Sequence, residues 1–227
     1  IEEAYEVSEA IDSKDMSSLK EELGDLLLQI VFHSRMAEES GDFNFDDVAR
    51  TISEKMIRRH PHVFGKESER SIEFHRGEWE AGKKRERDEK ALTRGTSPSV
   101  LDDVALALPA LTRAEKLGKR AAKVGFDWPE IESVFEKINE EIQELRSELE
   151  ENEISRKSVE EELGDILLTL VSLARHVRVD PEFALRLANA KFKRRFCFIE
   201  KRLAEDGQSP ENVSLHELKK LWQEAKK

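Results

Sequence analysis

The chain has one cysteine, six prolines, ten glycines and a single tyrosine in 227 residues. A lone thiol excludes an internal disulfide and fits a reducing compartment, so the sequence reads as cytoplasmic. Cys197 lies between Phe196 and Phe198, and those apolar neighbours predict a buried structural thiol. No apolar run reaches the roughly 20 residues that cross a bilayer, and no signal peptide is visible. The reading is therefore a soluble chain with no membrane partner. Ile1 already lies inside a motif with no Met before it, which places the native start upstream. Positive charge is outnumbered, with Lys plus Arg at 38 against Asp plus Glu at 49 for a net charge of -11, which argues against direct nucleic-acid binding. A P-loop, a dinucleotide fingerprint and a nucleophile elbow are all missing. His60-Pro61-His62 lacks the spacing of a zinc pair and reads as a turn.

What is present is amphipathic helix. The length suits one or two domains with ordinary cores. Long segments of 3.6-residue periodicity, few helix breakers and no convincing strand predict an all-α protein. Helices are expected over 1–11, 18–39, 45–59, 72–90, 104–123, 129–150, 158–177, 181–204 and 215–226. Pro61 closes one, Pro181 opens another, and Ser18 with Glu21, Ser158 with Glu161 and Asp127 with Glu130 form capping boxes. Residues 93–99 (Thr-Arg-Gly-Thr-Ser-Pro-Ser) form the linker. The expected domains are 1–94 and 100–227.

Glu-Glu-Leu-Gly-Asp occurs twice, ending at Asp25 and at Asp165, and each copy trails a second acidic pair by about twenty residues. The upstream pairs are Glu3 with Glu6 and Glu141 with Glu144; the downstream pairs are Glu22 with Asp25 and Glu162 with Asp165. Residues three apart share a helix face, so two facing helices converge four carboxylates. An ExxE pair alone is an ordinary solvated face in so acidic a chain. The repetition, and the apolar runs that follow at once over 26–32 and 166–173, favour a built site. Gly24 and Gly164 point the same way, because a helical glycine costs about 1 kcal/mol relative to Ala and usually marks close backbone approach. Four repelling carboxylates call for a cation, and hard oxygen donors without His or Cys indicate Mg²⁺, with Mn²⁺ as substitute.

The repeat extends further. Lys55 to Arg59 and Lys191 to Arg195 both fit KxxRR. Alone, each reads as a solvated basic face; opposite a metal-compensated acid cluster, Lys191, Arg194 and Arg195 form a phosphate site, with arginine supplying a bidentate fork. A cation beside a polyphosphate supports phosphoanhydride hydrolysis, with a spare carboxylate as proton acceptor. Arg113, Lys116, Arg120 and Lys123 form a further basic helix face, read chiefly as solvent-facing. Trp79 reads as a helix anchor and Trp222 equally as a packing aromatic or a ligand contact.

The acidic pairs, the doubled EELGD, KFxRRF at Lys191 to Phe196, the Val124-Gly-Phe-Asp-Trp128 loop and Arg59-His-Pro-His-Val-Phe64 together resemble the MazG nucleoside triphosphate pyrophosphohydrolases of the all-α NTP pyrophosphatase superfamily. The resemblance covers nearly the whole chain. It implies two tandem helical-bundle repeats in an intertwined homodimer, and Mg²⁺-dependent hydrolysis of nucleoside triphosphates between the α and β phosphates to NMP and diphosphate. It further implies Glu141, Glu144, Glu162 and Asp165 as metal ligands. Nucleotide contacts would come from Lys137, Ile138, Asn139, Glu140 and Glu141, from Ser158, Val159, Glu160, Glu161 and Asp165, and from Lys191, Arg194, Arg195, Trp222 and Lys226.

The second repeat is complete and takes the main site. The first keeps Glu3, Glu6, Glu22, Asp25, Lys55 and Arg59, a second or degenerate site, but lacks the helix and loop that should precede Ile1. Two rivals remain: a sanitiser restricted to one class of deoxy or modified triphosphate, and a non-catalytic dimeric helical adaptor whose surface recruits a regulatory protein partner.

Overall fold

A computed structural model of the chain describes residues 1–64, 82, 97–151 and 153–226. The chain is helical, with no strand among the described residues. It divides into two compact units, Ile1–Thr93 and Arg94–Lys227.

In the first unit, α1 (Glu2–Ser13) and α2 (Met16–Glu39) form a closely packed helical pair, followed by α3 (Phe45–Arg59) and the single turn α4 (Pro61–Phe64). Lys14 ends α1 in the left-handed region at φ 59°. Asp15 then caps α2, its carboxylate accepting the backbone N–H groups of Ser17 and Ser18 at 2.9 and 3.1 Å. The expected Ser18–Glu21 capping box is thus corrected: an extended aspartate three residues earlier already satisfies those donors, and Ser18 lies inside the first turn, its hydroxyl donating to Asp15. Asn44 and Asp47 cap α3 reciprocally. Pro61 follows the end of α3 and also opens α4, at a position where a missing N–H has no partner to lose.

The second unit contains α5 (Ala110–Ala122), α6 (Ile131–Glu150), α7 (Arg156–His176), α8 (Pro181–Glu205), a 3₁₀ turn (Pro210–Asn212) and α9 (Leu215–Glu224). The α6 and α7 helices make the most extensive pairing, α5 lies on α7 and α8, and α9 packs on α8. The helix expected from Val104 starts only at Ala110, because Pro109 disfavours helical backbone at the residue before it. Ser155, not Ser158, caps α7. The expected Asp127–Glu130 box does not form: α6 begins at Ile131 with Glu130 at its cap position, no side chain among the described residues caps it, and Asp127 pairs with Arg175.

Few side chains are buried. Ile199 and Leu203 of α8 close on Leu221 of α9, with Val213, Leu218 and Trp222 at the rim. Val134 of α6 is fully enclosed. Cys197 is exposed, contrary to expectation. It lies two residues before Ile199, about 200° around the helix from the stripe that faces α9. A Cβ on Gly24 or Gly164 would meet nothing within 4 Å, so the close backbone approach expected there does not occur among the described residues. Beside those glycines, Leu23, Leu27 and Ile30 on α2 and Leu163, Leu167 and Leu170 on α7 stay 41–52% exposed. Their i, i+4, i+7 spacing makes one open apolar stripe on each unit. No helix among the described residues is long and apolar enough to cross a membrane. The helix expected over 72–90, Trp79 within it and most of the 93–99 linker lie outside the described residues.

Candidate active site

Val134, Lys137, Glu141 and Glu144 fall along one stripe of α6. The stripe that encloses Val134 carries Glu141 into the packed side of the helix, leaving it 5% exposed. Glu162 comes up from α7. One carboxylate oxygen from each of Glu141, Glu144 and Glu162 lies within 4.8 Å of the others. Desolvation, and then the charges of Glu144, Glu141, Asp165 and Glu148, raise the Glu162 carboxyl above its ordinary value. Asp165, one turn further along α7, adds its charge to the surroundings of Glu162 and lies outside this 4.8 Å group. Its backbone carbonyl accepts the Thr169 hydroxyl at 2.9 Å.

Lys137 sits against this group. Its ammonium donates to Glu140 at 2.7 Å and to Glu141 at 2.9 Å. Pairing with Glu140 first and Glu141 second holds it above the usual lysine value. Ile138 is half-buried beside it, and the Asn139 amide donates to the Phe135 carbonyl at 3.1 Å. At the start of α7, Glu160 and Glu161 take part in exposed pairs with Arg156 at 2.7 Å and Lys157 at 3.5 Å, while Ser158 and Val159 are half-buried.

The first unit repeats the pattern. Oxygens of Glu3, Glu6 and Glu22 also lie within 4.8 Å of one another. Desolvation, followed by Glu22, Glu3, Glu2 and Asp25, raises Glu6. The Gln29 amide approaches Glu3 at 3.5 Å, and Lys55 and Arg59 are half-buried on α3.

The basic residues of α8 gather with α9. The Arg195 guanidinium lies 5.5 Å from the Trp222 ring centroid. Phe192 lies 5.3 Å from Trp222 and stacks on Phe196 at 6.1 Å. The Arg195 Nε is buried without a hydrogen-bond partner among the described residues. Lys191 and Arg194 are exposed, as is Lys226 just beyond α9. On the basic helix α5, Arg120 does not simply face solvent: it reaches the carbonyls of Val100 and Asp103 at 3.5 Å.

One tie had no local signal. Both terminal nitrogens of Arg175 donate to the Asp127 carboxylate, the Nη1 bond at 2.7 Å, and His176 lies 3.3 Å from the same group. Arg175 holds the Asp127 carboxyl below its ordinary value. This pair pins the Val124 to Trp128 loop to the end of α7. Its partners are 48 residues apart, beyond the reach of any spacing rule.

Three clustered carboxylates with no nitrogen or sulfur donor among them suit a hard divalent cation. Residues 1–64 and 130–197 match the MazG nucleotide pyrophosphohydrolase domain. The chain is 43% identical over 227 residues to the nucleoside triphosphate pyrophosphohydrolase of Escherichia coli (strain K12), spanning 100% of this chain and 84% of that protein. It is 43% identical over 226 residues to the nucleoside triphosphate pyrophosphohydrolase/pyrophosphatase MazG of Thermotoga maritima, spanning 100% and 83%. A shorter match, 43% over 127 residues, covers 55% of this chain and 36% of the nucleoside triphosphate pyrophosphohydrolase of Mycobacterium tuberculosis. With the domain matched in both halves and a 43% identical relative aligned over the whole of this chain and 84% of its own length, the chain belongs to the MazG nucleotide pyrophosphohydrolase family.

Proposed function

We propose that this protein hydrolyses nucleoside triphosphates to nucleoside monophosphate and diphosphate, with its main site in the second unit. The observation that carries the reading is the convergence of Glu141, Glu144 and Glu162 within 4.8 Å in a chain of this family. We assign those three, with Asp165 one turn away, to hold Mg²⁺, for which Mn²⁺ can substitute. When bound, the cation offsets phosphate charge and acidifies nearby water.

The other roles belong to the protein's own side chains. Lys191, Arg194 and Arg195 bind phosphate oxygens, the arginines as planar forks. Trp222 of α9 and Lys226 in the turn just beyond it hold the nucleotide. Residues Lys137 to Glu141 and Ser158 to Glu161 border the pocket. Water attacks phosphorus, the bond to the bridging oxygen breaks, diphosphate leaves, and a carboxylate of the cluster takes the water's proton.

We assign residues 1–94 and 100–227 to two repeat domains, and Glu3, Glu6, Glu22 and Asp25, with Lys55 and Arg59, to a second site in the first. The apolar stripes on α2 and α7, 41–52% exposed and flanked by the open space at Gly24 and Gly164, favour a homodimer in which a second copy covers them. A single exposed cysteine fits the reducing cytosol.

The test is incubation with each nucleoside triphosphate and Mg²⁺, resolving NMP plus diphosphate from NDP plus phosphate. Glu144→Gln and Asp165→Asn should each remove most turnover while keeping the helical circular dichroism spectrum. Turnover that survives Glu6→Gln locates the chemistry in the second unit. Absence of any metal-dependent product would refute the reading.

A further inference from the structure

Glu141 is the most enclosed member of the acid triad, its side chain 7% exposed, and its ion-pair partner is Lys137 at 2.9 Å. Lys137 is itself 29% exposed and shares its ammonium with Glu140, whose side chain is 57% exposed. The lysine thus bridges an inner carboxylate and an outer one. Both contacts arise within α6, at i+3 and i+4, so no packing against another element is needed to form or release them.

A unit positive charge in this position opposes an incoming divalent cation and occupies one oxygen of Glu141. The same ammonium, on a flexible four-carbon stem, is a strong donor to phosphate. We propose that Lys137 is the resident counterion of the acid triad and that nucleotide phosphate draws it off Glu141, so that nucleotide and divalent cation bind as a coupled pair. This rests on the assignment of the triad as the metal site. Toward the cation Lys137 acts through Glu141, and toward the nucleotide it donates to phosphate. Linkage makes the effect reciprocal: nucleotide raises cation affinity by the factor by which cation raises nucleotide affinity, and part of that factor passes through Lys137.

Mn²⁺ alone, titrated by electron paramagnetic resonance, tests this without turnover. All variants are made in a Glu3→Gln/Glu6→Gln background, which removes two of the first unit's three clustered acids. Lys137→Met should bind Mn²⁺ about tenfold more tightly than its background, the order set by removing one charge some 5 Å from a divalent ion in a solvent-screened site. Lys137→Arg, which keeps the charge, should return affinity to the background value. The gain in Mn²⁺ affinity caused by an α,β-methylene triphosphate, corrected for chelation by the free nucleotide, should shrink in Lys137→Met. Should that variant misfold, Lys137→Gln supplies the same comparison. Two failures are distinguishable. If Glu141→Gln leaves Mn²⁺ binding intact, the triad is not the metal site and the underlying assignment fails. If Glu141→Gln abolishes binding but Lys137→Met binds Mn²⁺ no more tightly than its background, the site stands and the counterion role of Lys137 is overturned.

Discussion

Leu203→Ala is predicted to loosen α9 before it unfolds the rest of the second unit. Leu203 is 2% exposed and meets Ile199 and Leu221, with only half-buried Val213, Leu218 and Trp222 around them. Leucine-to-alanine changes in cores cost about 2–5 kcal/mol, the larger values where the surroundings cannot relax. A cluster of three with a half-exposed rim can relax, which places this one at about 2–3 kcal/mol. The 10-residue helix α9 is too short to persist alone. The loss should therefore appear as local opening: amide exchange in α9 faster by about 30- to 150-fold, at 1.4 kcal/mol per decade, with α6 and α7 nearly unchanged. Because α9 carries Trp222 and leads directly into Lys226, both assigned above to the nucleotide, KM for the nucleotide should rise while kcat holds. The reasoning is refuted if exchange in α9 accelerates no more than in α6 and α7, which would mean that the cluster supports the whole unit rather than this helix.

Asp127→Asn keeps the loop's shape and removes the charge that Arg175 and His176 share. Hydrogen bonds to charged groups contribute about 1.5–3 kcal/mol, and the 28% exposure of Asp127 favours the lower end, read as a reduced urea midpoint. Arg175 depresses the Asp127 carboxyl, so its stabilisation is full above the unfolded value of 3.8 and is lost as pH falls through the lower folded value. The gap between wild type and variant should accordingly close in strong acid. Glu162 runs the other way: desolvation and its acidic neighbours raise it, so the folded state holds that proton more tightly than the unfolded chain. With chelator present, the melting temperature should gain from this group as pH falls through its raised value toward the ordinary 4.5, and saturating Mg²⁺ should erase that gain. An acid response identical with and without Mg²⁺ would show that the cation does not bind at Glu162.

Local rules determined much of this protein. Helical period with Pro61 as its stop places the helix at Phe45–Arg59, and Pro181 marks the start of α8. The i, i+3 spacing of Glu141 with Glu144, and the doubled Glu-Glu-Leu-Gly-Asp, announce two acid clusters, because residues one turn apart must share a face. Tertiary structure decided what spacing leaves open. It brought carboxylate oxygens of Glu141, Glu144 and Glu162 within 4.8 Å of one another across α6 and α7, a distance that spacing along one helix does not set. The donors at the starts of α2 and α7 went to Asp15 and Ser155, where the backbone is extended, and not to the serines three residues on. Burial likewise followed a helix's contacts and not its composition: Cys197 is exposed between two phenylalanines because Ile199 and Leu203 take the side facing α9. Asp127 and Arg175 meet across 48 residues only because α5, α6 and α7 pack as they do. A spacing rule ends where the helix ends, and contacts between distant segments are set by which faces are buried together.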